Sequence, residues 1–446
     1  ALAARLGRRT ALALGAAGLA GILVSCVVFG PETPFPGTAA LLPTVATAAL
    51  ILAGFAAPLP PLTWRPVRFV GQISYAWYLW HWPIYVFAAK EWGPLTAVQG
   101  LGVMAFSLVP TIAGHYLVEA RFHHSPRLTA RPALALQLGA ACIAVAVVAG
   151  LLVSATAPTV RTASAAEVQG AAALRTHPQA VQHSATALRP NPREADADQP
   201  AMYHDGCWQQ RAGTHSPDCT YGKGNVKLLL FGDSHAAMWA PALASIAQRR
   251  GWTFVFLAKQ GCPPAMAPVF NGPLGRPYTE CDTWREDTLQ RIESDEHPDV
   301  IVTDGSNDYA AMDGSRKLRG VDSGPTLQAG LVRTLKRLKA TGAHVIQMAN
   351  SPVAPSDVPS CVSGHLDDLE QCAFDRTQAY SHPAINRAAA EAVGGVQVVD
   401  PAPMVCPGAR CPAVVGDVLV YRDDNHLTAT YSRSLAPWLS ALLPKL

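Results

Sequence analysis

Five long apolar stretches, all before residue 160, restrict this chain more than any other feature: Ala11 to Gly30, Ala39 to Ala57, Val70 to Ala89, Ala97 to Leu117 and Leu134 to Ala155. Each has about the length that crosses a hydrocarbon layer of ~30 Å. Five such runs in succession argue against a soluble bundle and predict an all-α membrane part, with five transmembrane helices, over residues 1–155. Arginines orient it. Arg5, Arg8 and Arg9 precede the first run, Arg65 and Arg68 the third, and Arg121, Arg127 and Arg131 the fifth. The alternate loops, Pro31 to Thr38 and Lys90 to Thr96, hold one lysine between them. The N-terminal end is therefore expected in the cytoplasm, and an odd number of crossings puts everything after Ala155 outside. The chain begins without Met or a signal-peptide pattern, so it is expected to be the C-terminal piece of a longer protein.

The third run contains Ser74-Tyr75-Ala76-Trp77-Tyr78-Leu79-Trp80-His81-Trp82-Pro83. Such aromatic density fits an interfacial belt. His81 has two readings: a functional ionisable group in the membrane, or a side chain that reaches interfacial water.

After the last run the composition changes. Residues 156–202 are rich in Ala, Pro, Gln and Arg without apolar period, and read as a linker. Over residues 203–446, short apolar runs alternate with helical patterns. Val226–Phe231, Thr253–Leu257, Asp299–Thr303, His344–Met348 and Val396–Val399 read as strands. Ala236 to Arg250, Gly324–Thr341 and Pro383–Val393 read as helices between them. This alternation predicts an α/β domain with a parallel, flavodoxin-like sheet. The net charge of +3 is too small to argue for a nucleic-acid partner. Eight of the ten cysteines fall here as near neighbours: Cys207 with Cys219, Cys262 with Cys281, Cys361 with Cys372, and Cys406 with Cys411. Such pairs suggest disulfides and an oxidising compartment, although eight cysteines allow many connectivities. No Cys-x-x-Cys occurs, and no metal is expected.

Sites in open parallel sheets form at the carboxyl ends of strands. Four loops at such ends carry chemistry. Gly232-Asp233-Ser234-His235 places a serine at a strand-to-helix turn. Lys259-Gln260-Gly261-Cys262-Pro263-Pro264 follows the second strand, and Asp304-Gly305-Ser306-Asn307-Asp308 the third. Tyr421-Arg422-Asp423-Asp424-Asn425-His426-Leu427-Thr428 lies near the C-terminus. Singly, each reads as a cap, a turn or a solvated loop. Together they supply acyl-transfer chemistry. Ser234 is the candidate nucleophile, His426 the base and Asp423 the group that orients it, with Asp424 a rival. Backbone N–H groups of Ser234 and Gly261 and the Asn307 amide are candidate oxyanion donors.

In this order the four blocks resemble those of SGNH hydrolases: Gly-Asp-Ser, a glycine, Gly-x-Asn-Asp and Asp-x-x-His. The Ser74–Pro83 stretch, with His115-Tyr116-Leu117-Val118-Glu119 and Arg121, resembles the acyltransferase-three family of membrane acyltransferases. The chain looks like the C-terminal part of a bacterial member with an extra span and a fused SGNH domain, and the Gly261-Cys262-Pro263-Pro264 block is similar to the fused type. The resemblance implies an O-acyltransferase, usually an O-acetyltransferase, of the bacterial inner membrane. It would acylate hydroxyls of an extracytoplasmic glycan such as peptidoglycan, lipopolysaccharide or exopolysaccharide through an acyl-Ser234 enzyme. No cofactor stays bound; acetyl-CoA on the cytoplasmic side is the implied donor, and membrane lipid surrounds the helices. The family's early spans, with their basic residue and catalytic histidine, have no counterpart here, and His81 is not promoted in their place. The same triad with water as acceptor would make a membrane-anchored carbohydrate esterase, and a glycan-binding module with a vestigial site is a third reading.

Overall fold

The computed structural model describes residues 7–29, 33, 37–57, 59–92, 95–123, 125–156, 160–176, 182–318 and 320–446. Arg5, most of the 31–38 loop and two residues of the 90–96 loop lie outside the described residues. The chain divides into two units, Ala1–Ala157 and Pro158–Leu446.

The first unit is helical: α1 (Arg8–Val28), α2 (Leu41–Ala56), α3 (Arg65–Trp92), α4 (Ala97–Gly114) and α5 (Pro132–Thr156). Close packing of α1 on α2 depends on small residues. A Cβ added at Gly18 would lie 2.6 Å from the Ala46 carbonyl oxygen, so only glycine lets the backbones approach this closely. Trp77 Nε1 on α3 donates to Ser107 Oγ on α4 at 2.7 Å. Large apolar side chains such as Leu136, Ile143, Val145 and Leu151 on α5 stay exposed. In water so large an apolar surface would be costly; in lipid it is the ordinary state.

The expected count of five spans is not reproduced. Among the described residues, four helices are long and apolar enough to cross a membrane: Arg8–Val28, Thr38–Ala56, Ala97–Phe122 and Pro132–Ala155. The third run lies in α3, whose 28 residues give ample length. However, Arg65, Arg68, Gln72, His81, Lys90, Glu91 and the polar edges of its Trp and Tyr rings make it less apolar than the others.

The second unit is built on a six-stranded sheet. Its strands are β1 (Thr220–Tyr221), β2 (Lys227–Gly232), β3 (Thr253–Ala258), β4 (Val300–Asp304), β5 (His344–Met348) and β6 (Gln397–Val399), in the order β6-β5-β4-β2-β3-β1. Every pairing is parallel except β1 with β3. Five of these strands fall within a residue of the apolar runs read from the sequence. The runs do not alternate in polarity because both faces are covered. Leu228, Leu230, Phe254, Phe256, Val300 and Val302 enter one core, and Leu229, Phe231, Val255, Leu257 and Ile301 enter the other. Helix α6 (Ala240–Arg250) covers the first face with Leu243 and Ile246. Helices α7 (Thr279–Arg291), α8 (Gly324–Ala340) and α9 (Ile385–Val393) cover the second; Leu327, Leu331, Leu335 and Leu338 form the apolar stripe of α8. The chain leaves β2 for β3 on one side and later returns to β4 on the other, so the carboxyl end of β2 is a topological switch point.

The segment read as a linker, 156–202, is instead part of this unit from Val160 onward. Ala171, Leu174, Leu188, Ala195 and Met202 are buried in the first core. Arg189 bridges to Val418, and the Asp198 carbonyl and carboxylate accept from Ala429 N and Thr430 N, both at 2.9 Å. All four nearest-neighbour cysteine pairs are disulfides: Cys207–Cys219, Cys262–Cys281, Cys361–Cys372 and Cys406–Cys411.

Candidate active site

The site grows from the end of β2. Gly232 has φ +152°, and a Cβ there would lie 2.0 Å from the Asp304 carbonyl oxygen, so the turn excludes any other residue. Asp233 follows, buried, and ties two loops together. Its Oδ1 accepts from His235 N at 2.8 Å; its Oδ2 accepts from Ser306 N at 2.9 Å and Tyr309 OH at 2.7 Å. Burial raises its pKa, and the Tyr309 and backbone donors oppose the rise. Asp304 is likewise buried. It receives Trp239 Nε1 at 2.8 Å and Asn386 Nδ2 at 3.0 Å, and is pushed well up by burial despite the Trp239 bond. These two carboxylates fix the loops after β2 and β4.

Ser234 thereby projects from the first turn of a short helix (Ser234–Ala237). The loop at 421–428 meets it. Tyr421 pairs with Leu427, and Arg422 N donates to His426 O at 2.9 Å, closing a tight turn. Within it, Asp423 Oδ1 accepts from the Asn425 and His426 N–H groups at 2.9 and 2.6 Å. His426 Nδ1–H donates to Asp423 Oδ2 at 2.7 Å. In the neutral ring this leaves Nε2 without a proton, and Nε2 accepts from Ser234 Oγ–H at 2.8 Å. Burial raises the Asp423 carboxyl, but the His426 hydrogen bond and charge and the two backbone donors outweigh it and hold the group at about 2. Asp424 makes no side-chain hydrogen bond to His426; its carbonyl accepts from Ala354 N. The structure thus joins Ser234, His426 and Asp423 in one hydrogen-bonded chain.

These residues open into a cavity of about 490 Å³, also lined by Gly261, Gln260, Tyr203, Trp208, Gln210, Arg211 and Arg422. Gly261 has φ +63°. Its N–H and that of Ser234 donate to no other group among the described residues. Asn307 is placed differently from the expectation. Its Nδ2 donates to Pro383 O at 3.2 Å, and it lines a neighbouring cavity with His235, Ser306 and Asn350 rather than the cavity of Ser234. His81, in the other unit, donates Nδ1–H to Trp77 O at 3.1 Å within its own helix.

Two features were not read from the sequence. His235 is buried with its ring 5.1 Å from that of His426, and burial, reinforced by His426, lowers its pKa to about 3. Lys259 is fully buried, and its ammonium donates to the carbonyls of Gln210, Arg211 and Gly213 at 2.7, 2.7 and 2.6 Å. It hangs the Cys207–Cys219 loop, which forms one wall of the cavity, on the end of β3. A lone lysine closing an apolar run was the one available signal.

A doubly wound sheet with a serine–histidine–aspartate chain at its switch point is the architecture of an SGNH-type domain. A family model described as "SGNH domain (fused to AT3 domains)" matches residues 203–440, and the chain belongs to that family. It is also similar, at 35% identity over 109 residues, to the Bacillus subtilis (strain 168) protein named "Putative peptidoglycan O-acetyltransferase YrhL". That match covers 23% of this chain and 16% of the relative, so the chain spans about a sixth of that protein's length. Among solved structures, a Salmonella serovar Paratyphi A lipopolysaccharide acetyltransferase periplasmic domain aligns over 52% of this chain and 91% of its own, at 17% identity and a TM-score of 0.41.

Proposed function

We propose that the chain is a membrane-bound O-acyltransferase, most simply an O-acetyltransferase, that acylates a glycan hydroxyl through Ser234. The observation that carries this reading is the Ser234–His426–Asp423 chain, with links of 2.8 and 2.7 Å, opening into a cavity of ligand size. His426 Nε2 takes the Oγ proton as Oγ bonds to the acyl carbonyl carbon. The ionised Asp423 stabilises the imidazolium, and the Ser234 and Gly261 N–H groups receive the oxyanion. Collapse expels the donor's leaving group, which takes the proton from His426. A glycan hydroxyl then gives its proton to His426, attacks the acyl-serine carbonyl, and Oγ departs reprotonated. The glycan class is suggested by the names of the similar proteins, and acetyl-CoA is the donor proposed for the longer protein.

We place this domain outside the cytoplasm, on a bacterial inner membrane, because four disulfides need an oxidising compartment. This placement takes α3 as a fifth crossing; at ~1.5 Å per residue its 28 residues are long enough to make one.

The test is Ser234-dependent release from p-nitrophenyl acetate by the full chain in detergent, with and without glycan oligomers. Acetyl on the sugar supports transfer. Release to water that no acceptor alters makes the protein an esterase, and release unchanged in Ser234→Ala removes the serine mechanism.

A further inference from the structure

The cavity at Ser234 holds donors that this acyl transfer does not use. Arg422 is only 6% exposed, and its buried Nε makes no hydrogen bond among the described residues. The nearest carboxylate oxygen, Asp423 Oδ2, is 3.9 Å from its Nε, beyond hydrogen-bond reach. That carboxylate is already occupied by His426 and by two backbone N–H groups. Arg422 lies over the Tyr203 ring, 5.4 Å from its centroid, and Tyr203 stacks on Trp208 at 4.2 Å. The Nε of Arg211 is likewise buried without a hydrogen-bond partner among the described residues, whereas the buried Tyr203 hydroxyl interacts with the Arg422 side chain. All of these residues line the same cavity as Ser234. The other carboxylate there, Asp196, is exposed.

Leaving a guanidinium Nε buried and unpaired is unfavourable, and two such groups at one cavity compound the penalty. A planar oxyanion returns it, since the guanidinium fork matches carboxylate and phosphate. We infer that the cavity selects acceptor sugars carrying an acidic group, carboxylate or phosphate, which the Arg211 and Arg422 side chains bind while the Tyr203–Trp208 pair offers an aromatic face to the ring. This inference rests on the proposed transfer through Ser234.

The full chain in detergent is given p-nitrophenyl acetate and one of four acceptors: trigalacturonate, its tricarboxamide, galactose 6-phosphate or galactose. Acetyl on each sugar is counted by mass spectrometry. An acid over its neutral counterpart is expected to be favoured about tenfold or more, the worth of one charge-assisted hydrogen bond. Preference in the galacturonate pair assigns a carboxylate, and preference in the galactose pair alone a phosphate. Arg211→Gln and Arg422→Gln should each pull the preference toward unity, and Arg422→Lys should restore part of it. The ratio is taken within each variant, so a general loss of activity does not imitate it. If a variant does not fold, the wild-type ratios still decide. Equal rates within both pairs, or no transfer to either acid, overturn the inference if Ser234-dependent release persists. If that release is absent, the transfer reading itself falls.

Discussion

At the scale of single residues, the site depends on who holds which proton. Asp423, at about 2, stays ionised across the working range and keeps Nδ1 of His426 protonated. Asp423→Asn should therefore lower Ser234-dependent release by about 10³-fold or more while the protein stays folded, measured as initial rates beside a circular-dichroism spectrum. Two groups near the serine make folding sensitive to acid, in different windows. Asp423 has its folded pKa depressed, so its stabilisation is complete above about 4 and is lost as pH falls toward 2. His235 has its folded pKa lowered to about 3 against about 6.5 in the unfolded chain, so the unfolded state binds the extra proton between those values. Stability should fall as pH drops from about 6.5 toward 3, and His235→Gln should flatten that part of a urea-midpoint profile. An unchanged slope would show that His235 is not buried neutral. That Ser234, Asp423 and His426 come together was legible because strand ends leave marks in sequence and the Asp-x-x-His block resembles a family pattern, which spacing alone could not replace. The placement of Asn307 was not, since the direction of a loop side chain depends on Pro383, 76 residues away.

At the scale of elements, each site loop has a visible fastening. The turn after β2 needs Gly232, and Gly232→Ala drives a Cβ into the Asp304 carbonyl. It should cost about 3 kcal/mol or prevent folding, read from chemical denaturation. The loop closed by Cys207 and Cys219 hangs on Lys259. Lys259→Met leaves three carbonyls without a donor and should destabilise the unit by about 2–4 kcal/mol. The same change should raise hydrogen exchange over residues 208–213 first, because that loop loses its anchor while the sheet does not. Strands and helices were readable because burial on both faces writes itself as apolar runs. The weaker apolar character of α3 has the same origin in reverse. Its Trp and Tyr rings count as aromatic bulk yet carry polar edges, so length and hydropathy diverge.

At the scale of the whole molecule, residues 160–202 are where sequence reading failed most. Their order comes from pairing with residues far along the chain, so no local period announces it. Gln169 N and Gly170 N donate to Gly416 O, Ala171 N to Ser434 Oγ, and Arg189 pairs with Val418. A fragment starting at residue 203, where the family match begins, uncovers the core around Leu174 and Leu188 and removes the Asp198 cap. It should aggregate or melt well below a fragment of residues 158–446, compared by thermal scanning and gel filtration. Intact mass offers a separate check: reduction should add about 8 Da, two hydrogens for each of the four bridges.

The stitching of 160–202 to 416–434 also dictates an order of events during synthesis. The first part of this unit to emerge pairs locally, Arg161 and Thr162 with Ala187 and Leu188, but its bonds to Gly416, Val418 and Ser434 wait for almost the last residues, and the same late segment delivers Asp423 and His426 to a serine made 192 residues earlier. On the proposed mechanism, a nascent chain therefore carries Ser234 without its base throughout elongation. Pairing of Ser234 with His426 coincides with closure of the fold, and a chain cut short before residue 426 would have neither a finished core nor the proposed base beside its serine.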